Sequence, residues 1–143
     1  YKQFTLRDMV SRWDALEVFS RATSTTAARA LASMLDRLPF PVKAIQVDGG
    51  SEFMAEFEQL CRERGILLFQ LPPRSPKLNG MVERANRTHK EEFYQCTDVA
   101  SDLNSLRPAL REWERVYNTV RPHQALGYLT PAEYLAQCQP TCS

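Results

Sequence analysis

Residues 43–53, KAIQVDGGSEF, place one acid, Asp48, at the end of a short apolar run and follow it with Gly49 and Gly50. The run at 43–48 has the length and composition of a buried strand. An acid followed by two glycines is typical of a turn. The same glycines would let a bulky polyanion approach the backbone, and an acid at the carboxyl end of a strand faces the usual ligand side of an α/β sheet. Both interpretations stay open on this stretch alone.

The segments around this strand alternate between strand and helix patterns. Two strands with a turn between them predict an antiparallel hairpin at the start of the chain. The predicted elements up to residue 71 are strands at 1–6 and 14–20 around a turn at 7–13, a helix from Thr25 to Leu38, a helix at 52–65 ended by Gly65, and a strand at 66–71. This order predicts an α/β domain with a mixed sheet flanked by helices.

The second half of the chain is predicted to be helical. A loop at 72–80 precedes a helix from Met81 to about Cys96. Another helix runs over about 105–120, and Pro108 is expected in its first turn, because a proline is tolerated there. A last helix begins at 130–134, where Thr130, Pro131 and Glu133 form a capping box with proline at the first position.

Composition limits the function classes. The 143 residues are 43% apolar and 24% charged with a net charge of +1, so the chain as a whole is not a strongly basic nucleic-acid binder. No apolar run approaches the roughly 18 residues of a membrane span. The four cysteines, at 61, 96, 138 and 142, fit no zinc-ribbon or zinc-finger spacing. They are expected to be reduced thiols, with a Cys138–Cys142 redox or metal pair as the alternative.

The helix predicted over 81–96 has two distinct faces. At about 100° per residue, one face is apolar and is expected to pack in the core, with His89 as a packed histidine. Its members are Val82, Ala85, His89 and Phe93. The other face carries one carboxylate beside cations and an aromatic ring, and its members are Gly80, Glu83, Arg87, Lys90 and Tyr94.

Glu83 is therefore the candidate second acid. Arg84 flanks its face, and Arg74 and Lys77 lie in the segment leading into it, so the sequence is locally basic. A carboxylate in such a setting suits a metal ion that meets a phosphate backbone. The alternative is a solvated helix face on which Glu83 and Arg87 form an ordinary pair four residues apart.

Four stretches resemble the DDE superfamily of transposases and retroviral-type integrases, and more narrowly the transposases of bacterial insertion sequences of the IS481 or IS3 kind. They are DMVSRW (8–13), QVDGGSEF (46–53), PRSPKLNGMVERANRTHKEEFY (73–94) and YNTVRPHQALGYLTPAEYL (117–135). In the two middle stretches, 34 residues separate Asp48 from Glu83, as suits this group.

The resemblance implies an RNase H-like integrase core that cleaves and joins DNA strands with Mg²⁺ or Mn²⁺. It implies that Asp48 and Glu83 are two catalytic, metal-binding acids. Together with the basic residues noted above, it gives a candidate DNA-binding set of Ser51, Arg74, Lys77, Asn79, Arg84, Asn86, Arg87 and Lys90. Asn79 matches a mobile loop ahead of the helix. Transposon-end and target DNA are the implied partners, with a homodimer or higher homo-oligomer in the bacterial cytoplasm near the nucleoid.

The chain departs from the family pattern in two places. Gly49 stands where many relatives have Asn, which leaves the metal ligand in place. The first catalytic Asp of the family would fall before Tyr1, because Asp8 matches the turn residue. The expected organisation is therefore a truncated core at 1–100 that lacks its first strand and first acid, and a C-terminal helical extension at 101–143 packed on it.

Three functions remain in competition at this point. The first is a DDE recombinase core, expected to be inactive or weak in this fragment. The second is a catalytically dead DNA-binding or assembly remnant, and the third is an RNase H-type nuclease. The tail at 117–135 argues against the third function, because it resembles the tail of transposases. The tail is expected to wrap the core, and the alternative is a direct DNA contact by Arg121 or His123.

Overall fold

The computed structural model describes residues 1–71, 76–95 and 102–138, and of residues 76–80 it describes the backbone. Strand β1 (Lys2–Arg7) pairs antiparallel with β2 (Asp14–Phe19), in the register Lys2 to Phe19 through Arg7 to Asp14. The predicted N-terminal hairpin is thus confirmed. Its turn is closed by hydrogen bonds in which Asp8 N donates to Trp13 O and Arg12 N donates to Asp8 O, both at 2.9 Å.

The second strand pair is parallel, as the strand–helix–strand order requires. Strand β3 (Ala44–Val47) pairs with β4 (Leu67–Gln70) in the register Ala44 to Leu67. The described strands therefore contain both the antiparallel and the parallel pairing of a mixed sheet, as two two-stranded sheets. In β3 exposed and buried side chains alternate, as expected for a strand with one face in the core, whereas Asp14 to Val18 of β2 are all buried, so that β2 contacts the core on both faces.

Helix α1 (Ser24–Arg37) begins at a capping box in which Thr23 and Thr26 satisfy each other's backbone N–H groups. Helix α2 (Glu56–Glu63) connects β3 to β4. The prediction of a helix from residue 52 was wrong at its start, because Ser51–Phe53 form a 3₁₀ turn and Ala55 has a positive φ of 48°. Gly65, with φ of 68°, follows the helix end as predicted.

Helix α3 (Pro76–His89) begins five residues before the predicted start at Met81. The predicted loop at 72–80 is therefore wrong for 76–80, whereas 72–75 lie outside the described residues. Proline suits the first helical position, since the N–H that it lacks has no partner there. A π-helical turn, Lys90–Tyr94, continues the helix.

Helix α4 (Leu103–Thr119) also starts before its predicted position, because the Asp102 side chain accepts a hydrogen bond from Ser105 N and caps the helix. Pro108 consequently lies inside the helix, and its predicted place in the first turn was wrong. Helix α5 (Pro131–Cys138) has the predicted start: Thr130 N donates to Glu133 Oε1, and Glu133 N donates to Thr130 Oγ1.

Two apolar clusters lie on the two sides of the hairpin. The first joins β1 and the β3–β4 pair to α1 and α2 through residues that include Phe4, Leu31, Ile45, Val47 and Phe57. The second joins β2 to the π-helical turn and α4 through Leu16, Val18, Phe93, Leu106 and Leu110. Burial of these side chains fixes α1 and α2 on one face and the π-helical turn and α4 on the other. No helix in the described ranges is long and apolar enough to cross a membrane.

Candidate active site

Asp48 follows the last residue of β3 and is exposed. Its Oδ1 accepts a hydrogen bond of 3.0 Å from the backbone N of Gly50. The turn interpretation and the ligand interpretation are therefore compatible, since this contact orients the carboxylate and uses one of its two oxygens. An exposed, oriented carboxylate at a strand end is a suitable oxygen ligand for a hard cation.

The glycines after Asp48 leave the strand end open. A Cβ on Gly49 would meet no atom of the described residues within 4 Å. A Cβ on Gly50 would lie 2.7 Å from the carboxylate oxygens of Glu52, so that the side chain of Glu52 occupies the space above Gly50. The open space beside Asp48 is therefore on the Gly49 side.

Glu83 lies on α3 and is exposed, as are Arg84, Arg87 and Lys90. No hydrogen bond or ion pair joins Glu83 to Arg87 among the described contacts, although the two are four positions apart. The face is solvated, as the alternative interpretation expects, but the described contacts do not include the pair that this interpretation also predicts. Within the described residues Glu83 forms no ion pair. We call the exposed cations Arg84 and Arg87 of α3 and Lys90 of the π-helical turn the basic row.

Tyr94 does not belong to this exposed face, and its predicted place there was wrong. Its hydroxyl donates to Gln3 Oε1 at 2.7 Å, and its ring packs on Phe93 with centroids 4.8 Å apart. Burial raises the pKa of Tyr94 to about 12. The reason is the π-helical turn, which places more residues in each turn than an α-helix and so brings Tyr94 towards the core.

A buried hydrogen-bonded chain holds α3 in place. His89 Nε2 lies 2.8 Å from Asp14 Oδ2 on β2, and Trp113 Nε1 on α4 lies 2.8 Å from His89 Nδ1. Because an indole N–H can only donate, Nδ1 carries no proton, and the ring proton lies on Nε2, which donates to Asp14. The expectation of a packed core histidine is confirmed, since His89 is 0% exposed. Sequence reasoning did not find its partners, which lie 75 and 24 positions away.

Arg7 and Tyr117 complete this cluster. Arg7 Nη1 donates to both Asp14 Oδ2 and the Tyr117 hydroxyl at 3.2 Å. Burial, followed by the nearby charge of Asp14, raises the pKa of Tyr117 to about 12. Asp14 Oδ1 and Arg7 Nε are buried and have no hydrogen-bond partner in the part of the chain that the structure describes. The cluster is therefore a tightly enclosed polar joint between the hairpin, α3 and α4.

The remaining candidate DNA-binding residues have varied positions. Ser51 is exposed in the 3₁₀ turn after the glycines. Asn86 is exposed on α3, and its Oδ1 accepts a hydrogen bond of 2.9 Å from Thr5 Oγ1 on β1. Lys77 and Asn79 lie on the helical backbone of α3, so the predicted loop position of Asn79 was wrong. Their side chains and the whole of Arg74 lie outside what the structure describes.

The donor chemistry of Asp48 and Glu83 fits Mg²⁺ or Mn²⁺, since both are exposed carboxylates outside any ion pair of the described residues. The described ranges contain no group of three or more His, Cys, Asp or Glu side chains that could hold a metal. Asp8 belongs to the hairpin turn, where its Oδ2 accepts from both Ser11 N and Ser11 Oγ. None of the described contacts joins Asp48 to Glu83, so their place in one ligand set stays a prediction.

The tail after α4 wraps the core as predicted. His123 is 6% exposed, its Nε2 lies 3.1 Å from Tyr117 O, and its ring meets the Tyr117 ring edge-on with centroids 4.6 Å apart. Burial lowers the pKa of His123. Arg121 Nε donates to Glu92 Oε1 at 2.8 Å, which ties the tail to the π-helical turn. Both candidates for direct DNA contact in the tail are therefore held by protein groups.

The fold described above is the RNase H-like fold of integrase catalytic cores. Over 94% of the chain it matches the catalytic core domain of BIV integrase, with 25% identity, a TM-score of 0.75 and 86% of that chain covered. Over 99% of the chain it matches a simian T-cell lymphotropic virus intasome structure, with 21% identity, a TM-score of 0.76 and 49% of that chain covered. The second match bears on the fold alone.

Sequence relatives agree with this class. Residues 64–131 match the family described as integrase core domain. The chain is 31% identical over 102 residues to a protein of insertion element IS407 from Burkholderia multivorans, which is 69% of this chain and 36% of that protein. It is 34% identical over 91 residues to the putative transposase InsD of insertion element IS2E from Escherichia coli, which is 63% of this chain and 41% of that protein.

The chain is thus similar over residues 64–131 to the integrase core domain, over 63% of its length to a putative insertion-element transposase, and over 94% of its length to a retroviral integrase core. It spans 27% to 41% of the length of these curated relatives, which include a protein of insertion element IS476 from Xanthomonas euvesicatoria.

Proposed function

We propose that this chain is part of the catalytic core of a DNA transposase and takes part in metal-dependent DNA strand cleavage and strand transfer. The observation that carries the proposal is the face of α3: Glu83 stands free of ion pairs beside the exposed basic row. The buried His89 fixes the orientation of that face from the opposite side of the helix.

Each part of the face has a chemical role in this proposal. Asp48 and Glu83 would hold Mg²⁺ or Mn²⁺, which, when bound, activates the attacking oxygen and stabilises the leaving oxygen. The basic row binds phosphates of the DNA backbone, which fixes the position of the strand without reading its sequence. Gly49 leaves space beside Asp48 for a phosphodiester. Ser51 is exposed at the same strand end and is the proposed contact to target DNA.

The ligand set is incomplete in our proposal, because the described residues contain no group of three or more His, Cys, Asp or Glu side chains that could hold a metal. In the described residues β1 pairs with β2 and β3 pairs with β4, so that β1 and β3 each have an edge free for a further strand. Phe4 of β1 and Ile45 of β3 line the same core, which puts both edges above one apolar layer. We therefore expect weak or no nuclease activity from these 143 residues.

The transposon ends, the target DNA and a homodimer as the working unit are parts of the same proposal, as is association with the nucleoid of a bacterial cell. A dimer would also cover some of the open strand edges, which are otherwise sites of unwanted pairing. The test of the oligomeric state is sedimentation with and without a DNA duplex.

DNA binding tests the proposal directly. Fluorescence anisotropy with a labelled duplex is measured over a range of salt concentrations for the wild type and for a triple Gln variant of Arg84, Arg87 and Lys90. Loss of three phosphate contacts should flatten the slope of log K against log salt by about 2.7. The matched control replaces three exposed cations elsewhere, Arg21, Lys43 and Arg62, by Gln. Equal slopes for both triples, or no binding by the wild type, would refute the proposal.

A second candidate, a DNA-binding or assembly remnant without catalysis, is favoured by one observation, the lack of a three-ligand cluster in the described ranges. A plasmid nicking assay with Mg²⁺ separates incomplete from complete sites. Robust cleavage that disappears in Asp48→Asn would show that the segment holds a full ligand set. If Mn²⁺ binds weakly and both Asp48→Asn and Glu83→Gln abolish that binding, the partial site is supported. If neither variant changes Mn²⁺ binding, the remnant is supported.

A further inference from the structure

Arg12 has an unusual backbone conformation. It lies at the end of the hairpin turn with φ of 64°, in the left-handed region that costs a side-chain-bearing residue about 1 kcal/mol. The turn fixes this conformation, because Arg12 N donates to Asp8 O at 2.9 Å and Trp13 N donates to Ser11 Oγ at 3.2 Å. Glycine would adopt the same conformation without cost. An arginine that occupies this position despite the backbone strain indicates a function for its side chain.

The side chain of Arg12 crosses to the helix that carries Glu83. Its Nη1 lies 3.4 Å from Met81 Sδ, so that the guanidinium rests on α3. Met81 and Arg84 are three positions apart on α3 and are therefore neighbours on its surface. Arg84, Arg87 and Lys90 follow one another at intervals of three positions. Arg12 thus extends the basic row across from the helix to the hairpin turn.

The charge of Arg12 has no carboxylate partner among the described ion pairs. The hairpin acids Asp8 and Asp14 hydrogen-bond to Ser11 and to Arg7 and His89, and the charge of Asp14 only partly offsets the cations near Arg12. Burial, followed by the charges of Arg7 and Arg84, lowers the pKa of the Arg12 guanidinium. A half-buried cation between two other cations is unfavourable by itself, and an anion from outside would offset that cost.

We propose that Arg12 binds a phosphate of the DNA backbone and extends the DNA path from the basic row of α3 onto the hairpin turn. This inference rests on the proposed function, because it names a further contact to the same DNA. The contact is to phosphate and carries no sequence preference. In this proposal the strained backbone at Arg12 is kept because it directs the guanidinium towards the DNA.

The test compares two variants of Arg12 with the wild type in the salt-dependent anisotropy assay. Arg12→Gln keeps the strained side-chain-bearing backbone, and Arg12→Gly relieves the strain. Both should weaken duplex binding about three- to tenfold and flatten the salt slope by about 0.9. The melting temperature of Arg12→Gly should be equal to or above that of the wild type. Arg21→Gln, at an exposed turn position, is the control and should change neither quantity.

Each result decides the question. A lower melting temperature of Arg12→Gly with an unchanged salt slope would show a structural role and overturn the inference. If Arg87→Gln flattens the slope and Arg12→Gln does not, the proposed function stands and the inference fails. If the wild type binds no DNA, both fail. The inference is supported if both Arg12 variants have a flatter salt slope and the melting temperature of Arg12→Gly is not lowered.

Discussion

Asp14 Oδ2 and His89 Nε2 lie 2.8 Å apart, and their side chains are 0% and 1% exposed. This contact joins the start of β2 to the end of α3, the helix that carries Glu83. Trp113 supports it from α4 through the second ring nitrogen of His89. The orientation of the candidate catalytic helix therefore depends on a polar joint inside the core.

Replacing His89 by Ala should destabilise the fold by about 3 kcal/mol, because it leaves a hydrogen bond of Asp14 and the indole N–H of Trp113 unmade in a buried place. Urea unfolding measures the change. The control is Arg87→Ala, an exposed neighbour on α3, which should lie within about 0.5 kcal/mol of the wild type. A cost below about 1 kcal/mol for His89→Ala would mean that the joint does not hold α3.

Glu17 should make stability depend on pH. Its burial acts to raise its pKa, but hydrogen bonds from Ser33 and Arg37 and the charges of Arg37 and Arg111 outweigh burial, so that the pKa lies below its ordinary value of 4.5. A carboxyl whose pKa is lower in the folded state adds stability above its unfolded-state pKa and loses it as pH falls through the folded-state pKa.

The measurement for Glu17 is urea unfolding of the wild type and Glu17→Gln between pH 6 and pH 3. The wild type should be the more stable protein at pH 6, and the difference should shrink once pH falls below about 4.5. A difference that stays constant across this range would contradict the lowered pKa. Glu112→Gln is the control, since its partner Arg115 lies with it on the exposed face of α4.

Gly49→Ala should leave stability unchanged within about 0.5 kcal/mol, because a Cβ there meets no atom of the described residues within 4 Å. If the open space beside Asp48 is used by DNA, the same variant should weaken duplex binding in the anisotropy assay. Gly127→Ala, where φ is 65°, is the opposite control: it should cost about 1 kcal/mol and leave DNA binding unchanged. Unaltered binding by Gly49→Ala would rule out the space as a DNA contact.

Pro108→Ala should stabilise the protein by about 1 kcal/mol or more, because it restores a backbone N–H to the interior of α4. Thermal unfolding measures the gain. Pro131→Ala provides the comparison, since proline suits the first position of α5 and its loss should bring no gain. A fall in the stability of Pro108→Ala would show that packing of the proline ring contributes more stability than the missing hydrogen bond costs.

Local sequence signals were sufficient where the cause of a structure lies within a few residues. The hairpin, the strand before Asp48 and the capping box at Thr130 follow from alternation, apolar runs and cap chemistry, and the structure contains all three. Helix starts were less predictable, because several residues can serve as the cap. Helices α4 and α3 begin earlier in the chain than predicted, because Asp102 caps α4 and Pro76 takes the first position of α3. Helix α2 begins later than predicted, because Ser51–Phe53 form a 3₁₀ turn.

The sequence alone determined the candidate acids, since Asp48 and Glu83 are identified by residue type, spacing and local charge. Only the tertiary structure decided which neighbours each charge meets. It placed Asp14 against His89 and turned Tyr94 inward through a π-helical turn. It also laid Arg12 on Met81, so that the basic row extends beyond one helix. The physical reason is that desolvation and hydrogen bonding act through space, between residues whose separation along the chain carries no signal.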